Sequence, residues 1–190
     1  MPKYTLLRAF DPDMTRAELD GMALASMATL ATYMYRGTER PQTSDHGIRW
    51  IRSYWEPGGT WGMCLFEAPD LAVLSDYQDL CGTGFIEARE VVEIEGPTLG
   101  AGADATRVAV SMRLGRGEES SPPDLLADLS AMTTADDGQT RFARAYWCDE
   151  TRTATALFET STPEHFEQRI APVAERQPAR IVELRPDDYR

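Results

Sequence analysis

Residues 50–69 read WIRSYWEPGGTWGMCLFEAP, and this stretch decides the fold. Trp50–Trp55 and Trp61–Glu67 combine aromatic and small residues that suit a pleated, half-buried surface. Pro57-Gly58-Gly59 between them supplies the reversal. Two short strands joined by a tight turn are therefore predicted. The pattern returns later in the chain. Phe142-Ala143-Arg144-Ala145-Tyr146-Trp147 matches Trp50-Ile51-Arg52-Ser53-Tyr54-Trp55, and Ala156-Leu157-Phe158-Glu159 matches Cys64-Leu65-Phe66-Glu67 at the same offset. A fainter echo sets Val92-Glu93-Ile94 against Val182-Glu183-Leu184. Equal internal spacing predicts two copies of one supersecondary unit.

On the N-terminal side of this stretch, Lys3–Phe10 alternates as a strand, with Tyr4, Leu6, Arg8 and Phe10 on one face. Thr15 and Glu18 form a capping-box pattern that opens a helix predicted over Arg16–Arg36. Its recurring methionines, Met22, Met27 and Met34, read as flexible core filler. On the C-terminal side, Pro69-Asp70 starts a helix over Leu71–Leu80, and Arg89–Glu95 closes the unit as a strand. The second unit repeats the order. Strands are predicted at Thr106–Leu114, Arg141–Trp147, Thr151–Glu159 and Arg180–Arg185, and helices at Pro122–Met132 and after Thr162-Pro163. Strand, helix, strand, strand, helix, strand is the ferredoxin-like arrangement. The predicted class is α+β, with repeats at 1–96 and 106–190 joined by a linker at 97–105. Helices on one face leave each sheet's other face bare. Two tandem repeats can cover those faces by packing sheet to sheet, as a dimeric-type α+β barrel within one chain. The chain is then expected to be a monomeric pseudodimer or a homodimer.

Bulk properties limit the function. The 31 acidic residues outnumber the 19 basic ones, giving a formal charge of −12, which argues against nucleic acid as a partner. No run approaches the apolar length of a membrane span, and the first residues enter a strand pattern rather than a secretory leader. Cys64, Cys81 and Cys148 form no CxxC pair, which fits a reducing, cytoplasmic setting.

Strict alternation puts Trp50, Arg52 and Tyr54 on one face, matched by Phe142, Arg144 and Tyr146 in the second copy. Small Ser53, Ala143 and Ala145 suit the side under the helices, which turns the arginines and tyrosines towards the bare face. Glu67 and Glu159 close the neighbouring strands. An Arg–Tyr–Glu set of this kind would bind a small polar or anionic ligand, with Trp50 beside it. The structural alternative is an Arg–Glu ion pair that braces the sheet, with the tyrosines filling space. For metals, Asp45, His46, Cys64, Cys81, Cys148 and His165 are the available ligands, and no pair has a recognised metal spacing.

Trp50, Ser53-Tyr54, Cys64 and Ala68-Pro69 together resemble a small bacterial domain family of unknown function. The resemblance covers roughly Pro2–Glu95, and the second copy keeps the frame but not the motif. It implies a ferredoxin-like fold, dimerisation into an α+β barrel and, in some members, nickel binding. The family often carries a histidine in its second helix, where Tyr77 and Gln78 stand here, so Cys64 is the carried-over residue able to ligate.

Three readings follow. The first is a small-ligand or transition-metal (nickel) binding barrel, with Cys64 and His46 as metal ligands and Glu67, Glu159 and Trp50 as ligand contacts. The second is an enzyme (oxygenase, isomerase, cyclase or decarboxylase) with Tyr54 or Tyr146 as general acid and Arg52 or Arg144 holding an anionic intermediate. The third is a structural or partner-binding domain without a site.

Overall fold

The computed structural model describes residues 1–25 except 12, 16, 19 and 23, then 47–55, 61–81, 85–96, the backbone of 106–113, 140–160, 164, 166, 168, and the backbone of 179–184. His46, His165, the turn Pro57-Gly58-Gly59, the predicted linker 97–105 and the predicted helix Pro122–Met132 lie outside the described residues. The chain divides into two compact units, one containing Met1–Val91 and the other Val92–Pro186.

The first unit contains strands β1 (Lys3–Ala9), β2 (Arg49–Trp55) and β3 (Trp61–Glu67), a helix at Leu71–Cys81, and the start of β4 (Glu87–Glu95). Thr15 and Glu18 form the expected capping box. The Glu18 amide donates to Thr15 Oγ1 (3.3 Å) and Glu18 Oε2 accepts from the Thr15 amide (2.7 Å), ahead of helical residues within 17–25. Asp70 caps the second helix, its carboxylate accepting from the Val73 amide at 2.8 Å. The strands are antiparallel neighbours in the order β2-β3-β1-β4, as a βαββαβ chain requires.

Strand β4 crosses the division between the units. Glu87–Val91 pairs with β1, and Val92–Glu95 pairs with β6 (Thr140–Cys148). The second unit continues with β5 (Thr106–Arg113), β7 (Thr153–Thr160) and β8 (Ala179–Leu184). Its order is β6-β7-β5-β8, again antiparallel. Position for position this repeats the order of the first unit. The architecture is α+β, built on antiparallel sheet.

The main hairpins of the two units agree to the residue. In the first, Arg49 opposes Glu67, Trp50 opposes Phe66, and Arg52 opposes Leu65, so Ile51 is skipped. In the second, Arg141 opposes Glu159, Phe142 opposes Phe158, and Arg144 opposes Leu157, so Ala143 is skipped. Each skip is a β-bulge, and each falls at the same place in the two similar segments. The second bulge has a use: Gly96 donates its amide to the Ala143 carbonyl at 3.0 Å. A Cβ at Gly96 would stand 2.3 Å from the Phe142 carbonyl oxygen, so only glycine fits this approach.

The core of the first unit lies between its sheet and the helix Leu71–Cys81. Tyr4, Leu6, Ile48, Cys64, Phe66, Ala68, Leu74 and Tyr77 pack together there, with Trp50 and Val73 against them. Both faces of β3 are buried: Trp61, Met63 and Leu65 on one side are as inaccessible as Gly62, Cys64 and Phe66 on the other. A sheet with helices on one side only would have left one of these sets in water.

Candidate functional site

The bulges sort the candidate residues between two faces. Strict alternation predicts Trp50, Arg52 and Tyr54 together. The register shift at Ile51 moves Trp50 to the other side, where it shares a face with Ser53, Cys64 and Phe66. Its ring stacks on Phe66, with centroids 5.9 Å apart and planes 17° apart. Trp50 therefore belongs to the helix-side core and not to the arginine–tyrosine face. The same shift takes Phe142 away from Arg144 and packs it against Phe158 at 5.8 Å.

Trp50, Ser53 and Cys64 form a buried relay on the helix side. The Trp50 indole N–H donates to Ser53 Oγ (2.8 Å), and the Ser53 hydroxyl donates to Cys64 Sγ (3.1 Å). Each group is thereby satisfied inside the core, which accounts for these residue types in structural terms. Among the described residues, no group of three or more histidine, cysteine, aspartate or glutamate side chains could hold a metal ion. Where the resembled family carries a helix histidine, Tyr77 packs edge-on to Phe66 at 5.9 Å. Beside it, the Gln78 side-chain oxygen accepts a hydrogen bond from the buried Arg8 guanidinium.

The opposite face is where arginine and tyrosine recur. Arg52 and Tyr54 oppose Leu65 and Met63, while Arg144 and Tyr146 oppose Leu157 and Thr155. Tyr54 is 6% exposed and Tyr146 1%. A buried phenol and a guanidinium two residues apart, held on rigid strands, can donate hydrogen bonds to an oxyanion and present a fixed positive charge to it.

Glu67 and Glu159 lie on this face, but their partners are Arg49 and Arg141 rather than Arg52 and Arg144. Arg49 Nε and Nη2 both reach Glu67 Oε2, at 2.7 and 2.5 Å, and Arg141 pairs with Glu159 in the same way across β6 and β7. These cross-strand pairs brace the ends of the hairpins. The similar segments contain the signal for them, because Arg49 precedes Trp50 as Arg141 precedes Phe142, but assigning the partners needs the bulged register.

Sequence reasoning passes over Glu93. This residue of β4 stands opposite Tyr146 on β6, and its Oε1 accepts from Arg144 Nη1 at 2.8 Å. Nothing local marks it, since its partner is supplied by a strand pairing between distant segments.

No family model matches the chain, and no curated protein does. Solved structures do. One is a protein of Fusobacterium nucleatum subsp. nucleatum described as a candidate monooxygenase, with TM-score 0.51 and 10% identity; the match covers 97% of this chain and 91% of that one. Another is a variant chlorite dismutase of Candidatus Nitrospira defluvii, with TM-score 0.50, 11% identity and the same two coverages, 97% and 91%. At this identity the likeness defines the fold class, an antiparallel α+β architecture of ferredoxin-like type, and nothing finer. No helix among the described residues is long and apolar enough to cross a membrane.

Proposed function

We propose that this chain is an enzyme of the α+β barrel type acting on a small polar or anionic substrate, and that its two units are tandem copies of one βαββαβ ancestor. The observation that carries the reading is the arginine–tyrosine pair. Arg52 with Tyr54, and Arg144 with Tyr146, occupy the same register positions beside the same bulge, on the face away from the core helices. Some packing residues at equivalent positions differ between the units (Trp50 and Phe142, Ser53 and Ala145, Met63 and Thr155), whereas the arginine and the tyrosine do not, although neither is needed to fill an apolar core as the shared Leu65/Leu157 and Phe66/Phe158 are. Burying a phenol and part of a guanidinium costs free energy that apolar residues would not, so their retention in both copies points to chemistry. In this reading the arginines hold the substrate's negative charge and the tyrosines act as general acids.

Proteins of this fold that are named as a monooxygenase and a chlorite dismutase make oxygen uptake and small oxyanions the first reactions to assay. The test is a panel of small carboxylates, phenols and inorganic oxyanions, screened by thermal shift and by an oxygen electrode. At least one compound is expected to raise Tm and to turn over. Tyr54→Phe or Tyr146→Phe should then lower kcat by about 10²-fold or more while Tm stays near that of the parent. A panel in which no compound binds, or a turnover indifferent to both tyrosines and both arginines, would defeat the proposal.

A further inference from the structure

The second unit adds a carboxylate to its arginine–tyrosine pair, and this addition deepens the enzymatic reading on which the inference rests. We infer that Glu93 is the proton acceptor of the second-unit site, and that its substrate is a small acidic hydroxyl or carbon acid, such as a phenol or an enolisable carbonyl compound. The geometry comes from one strand pair. Glu93 opposes Tyr146 across β4 and β6, a position that sets directly opposed Cβ atoms about 4.5–5.5 Å apart. Arg144, diagonal to Glu93 on the same face, donates to Glu93 Oε1 at 2.8 Å. The Glu93 side chain is 7% exposed while Arg144 keeps 26%, so the pair is enclosed and still reaches solvent on one side.

A bracing role explains this pair less well than it explains the other two. Arg49–Glu67 and Arg141–Glu159 recur at matched positions and tie β2 to β3 and β6 to β7. Arg144–Glu93 ties β6 to β4 and involves the arginine that stands two residues from Tyr146. An enclosed ion pair is commonly no more stabilising than apolar residues of the same volume. The cluster does supply a way to move one proton without creating net charge. The substrate O–H or C–H bond breaks and its proton passes to the Glu93 carboxylate. The electron pair stays on the substrate as an oxyanion or enolate. Arg144, having lost the charge of Glu93 as its counterion, gains the substrate anion in its place, with the Tyr146 hydroxyl as a further donor. Return of the proton from Glu93 to the same or another atom completes an exchange or an isomerisation, so no oxidant is required.

The probe is pyruvate, whose carboxylate suits the arginine and whose methyl protons exchange slowly with solvent unless a base removes them. Its binding to the intact chain is followed by equilibrium dialysis and the replacement of its methyl protons by deuterium in heavy water by proton NMR. The parent protein should bind the probe and speed the exchange over the protein-free rate. Glu93→Gln should keep the fold by circular dichroism and lose the exchange, and Arg144→Met should weaken binding roughly tenfold or more. Should Glu93→Gln fail to fold, Glu93→Asp keeps the charge but withdraws it by one methylene, and slower exchange in that variant is the expected result. Binding without faster exchange, or exchange that survives Glu93→Gln or is undiminished in Glu93→Asp, overturns the role of Glu93 and leaves the arginine–tyrosine reading standing. A purely structural Glu93 would give a lower Tm with the exchange rate unchanged. Failure of the parent to bind the probe, with Arg144→Met indistinguishable from it, overturns both.

Discussion

At the bulged hairpin the two units solve part of the helix-side packing differently but keep the same arginine and tyrosine on the opposite face. Where the first unit has Trp50, Ser53 and Cys64 in a hydrogen-bonded relay, the second has Phe142, Ala145 and Ala156, which pack with no polar group at all. The fold therefore does not need the cysteine, the serine or the indole; it needs a filled volume with every buried donor satisfied. Across the sheet, arginine and tyrosine stand at the same two positions in both units. Constancy alone does not separate function from packing, since the buried Phe66 and Phe158 are constant too; a constant polar pair, which packing would not favour, calls for another cause.

Matched substitutions put this comparison under strain. The largest effect is expected from Phe66→Ala and Phe158→Ala. Both rings are essentially fully buried at equivalent positions, and each change should cost about 3–5 kcal/mol in chemical denaturation. Costs differing by more than half of that range would show that the two cores are not equivalent. Ser53→Ala comes next. It strips the acceptor from the Trp50 indole and should cost about 1–3 kcal/mol, whereas the joint change Trp50→Phe, Ser53→Ala and Cys64→Ala, which copies the second unit, should cost no more than the single one. If the triple variant is much the worse, the relay is a requirement of the first unit and not one of two solutions. The bracing pairs rank lower. Arg49→Ala should cost roughly 0.2–1 kcal/mol and lose much of its effect in high salt, and Arg141→Ala, from the less exposed pair, should sit at the upper end of that range.

The smallest effect concerns the cap of the first helix. Hydrogen bonding from the Thr15 backbone, then from its side chain, holds the Glu18 carboxyl below the usual carboxylate range. A depressed pKa contributes stability above the unfolded value, and that contribution is lost as the pH falls through the folded value. A carbon-detected NMR titration should find Glu18 ionising at lower pH than an exposed glutamate in a peptide, and Thr15→Ala, which removes the hydroxyl but keeps the backbone donor, should return it only part of the way.

The strands were legible because their side chains alternate and their turns are marked. Trp61–Glu67 is both the predicted and the observed β3, and the other predicted strand ends within the described residues fall within two positions of the observed ones. The sequence match between the two segments carried the prediction into the second unit, where Phe142-Ala143-Arg144 bends as Trp50-Ile51-Arg52 does. The bulge was not legible. Ile51 and Ala143 are ordinary strand residues, and skipping one of them changes no local preference while it moves Trp50 and Phe142 through the sheet. Ion-pair partners failed for the same reason, since Arg49 and Arg52 both stand within reach of Glu67 until the register is known. Glu93 was invisible for a different reason. Its partner Arg144 lies 51 residues away and is reached only through the pairing of β4 with β6.

In the function proposed above, the ligand sits on the arginine–tyrosine face and not by the cysteine under the helix. Titration calorimetry with the best-binding small anion of the panel tests it most directly, comparing Cys64→Ala with the double variant Arg52→Met, Arg144→Met. Cys64→Ala should bind within about twofold of the parent, and the double variant should lose at least roughly tenfold in affinity. Intact binding in the double variant, with binding lost in Cys64→Ala, would contradict it.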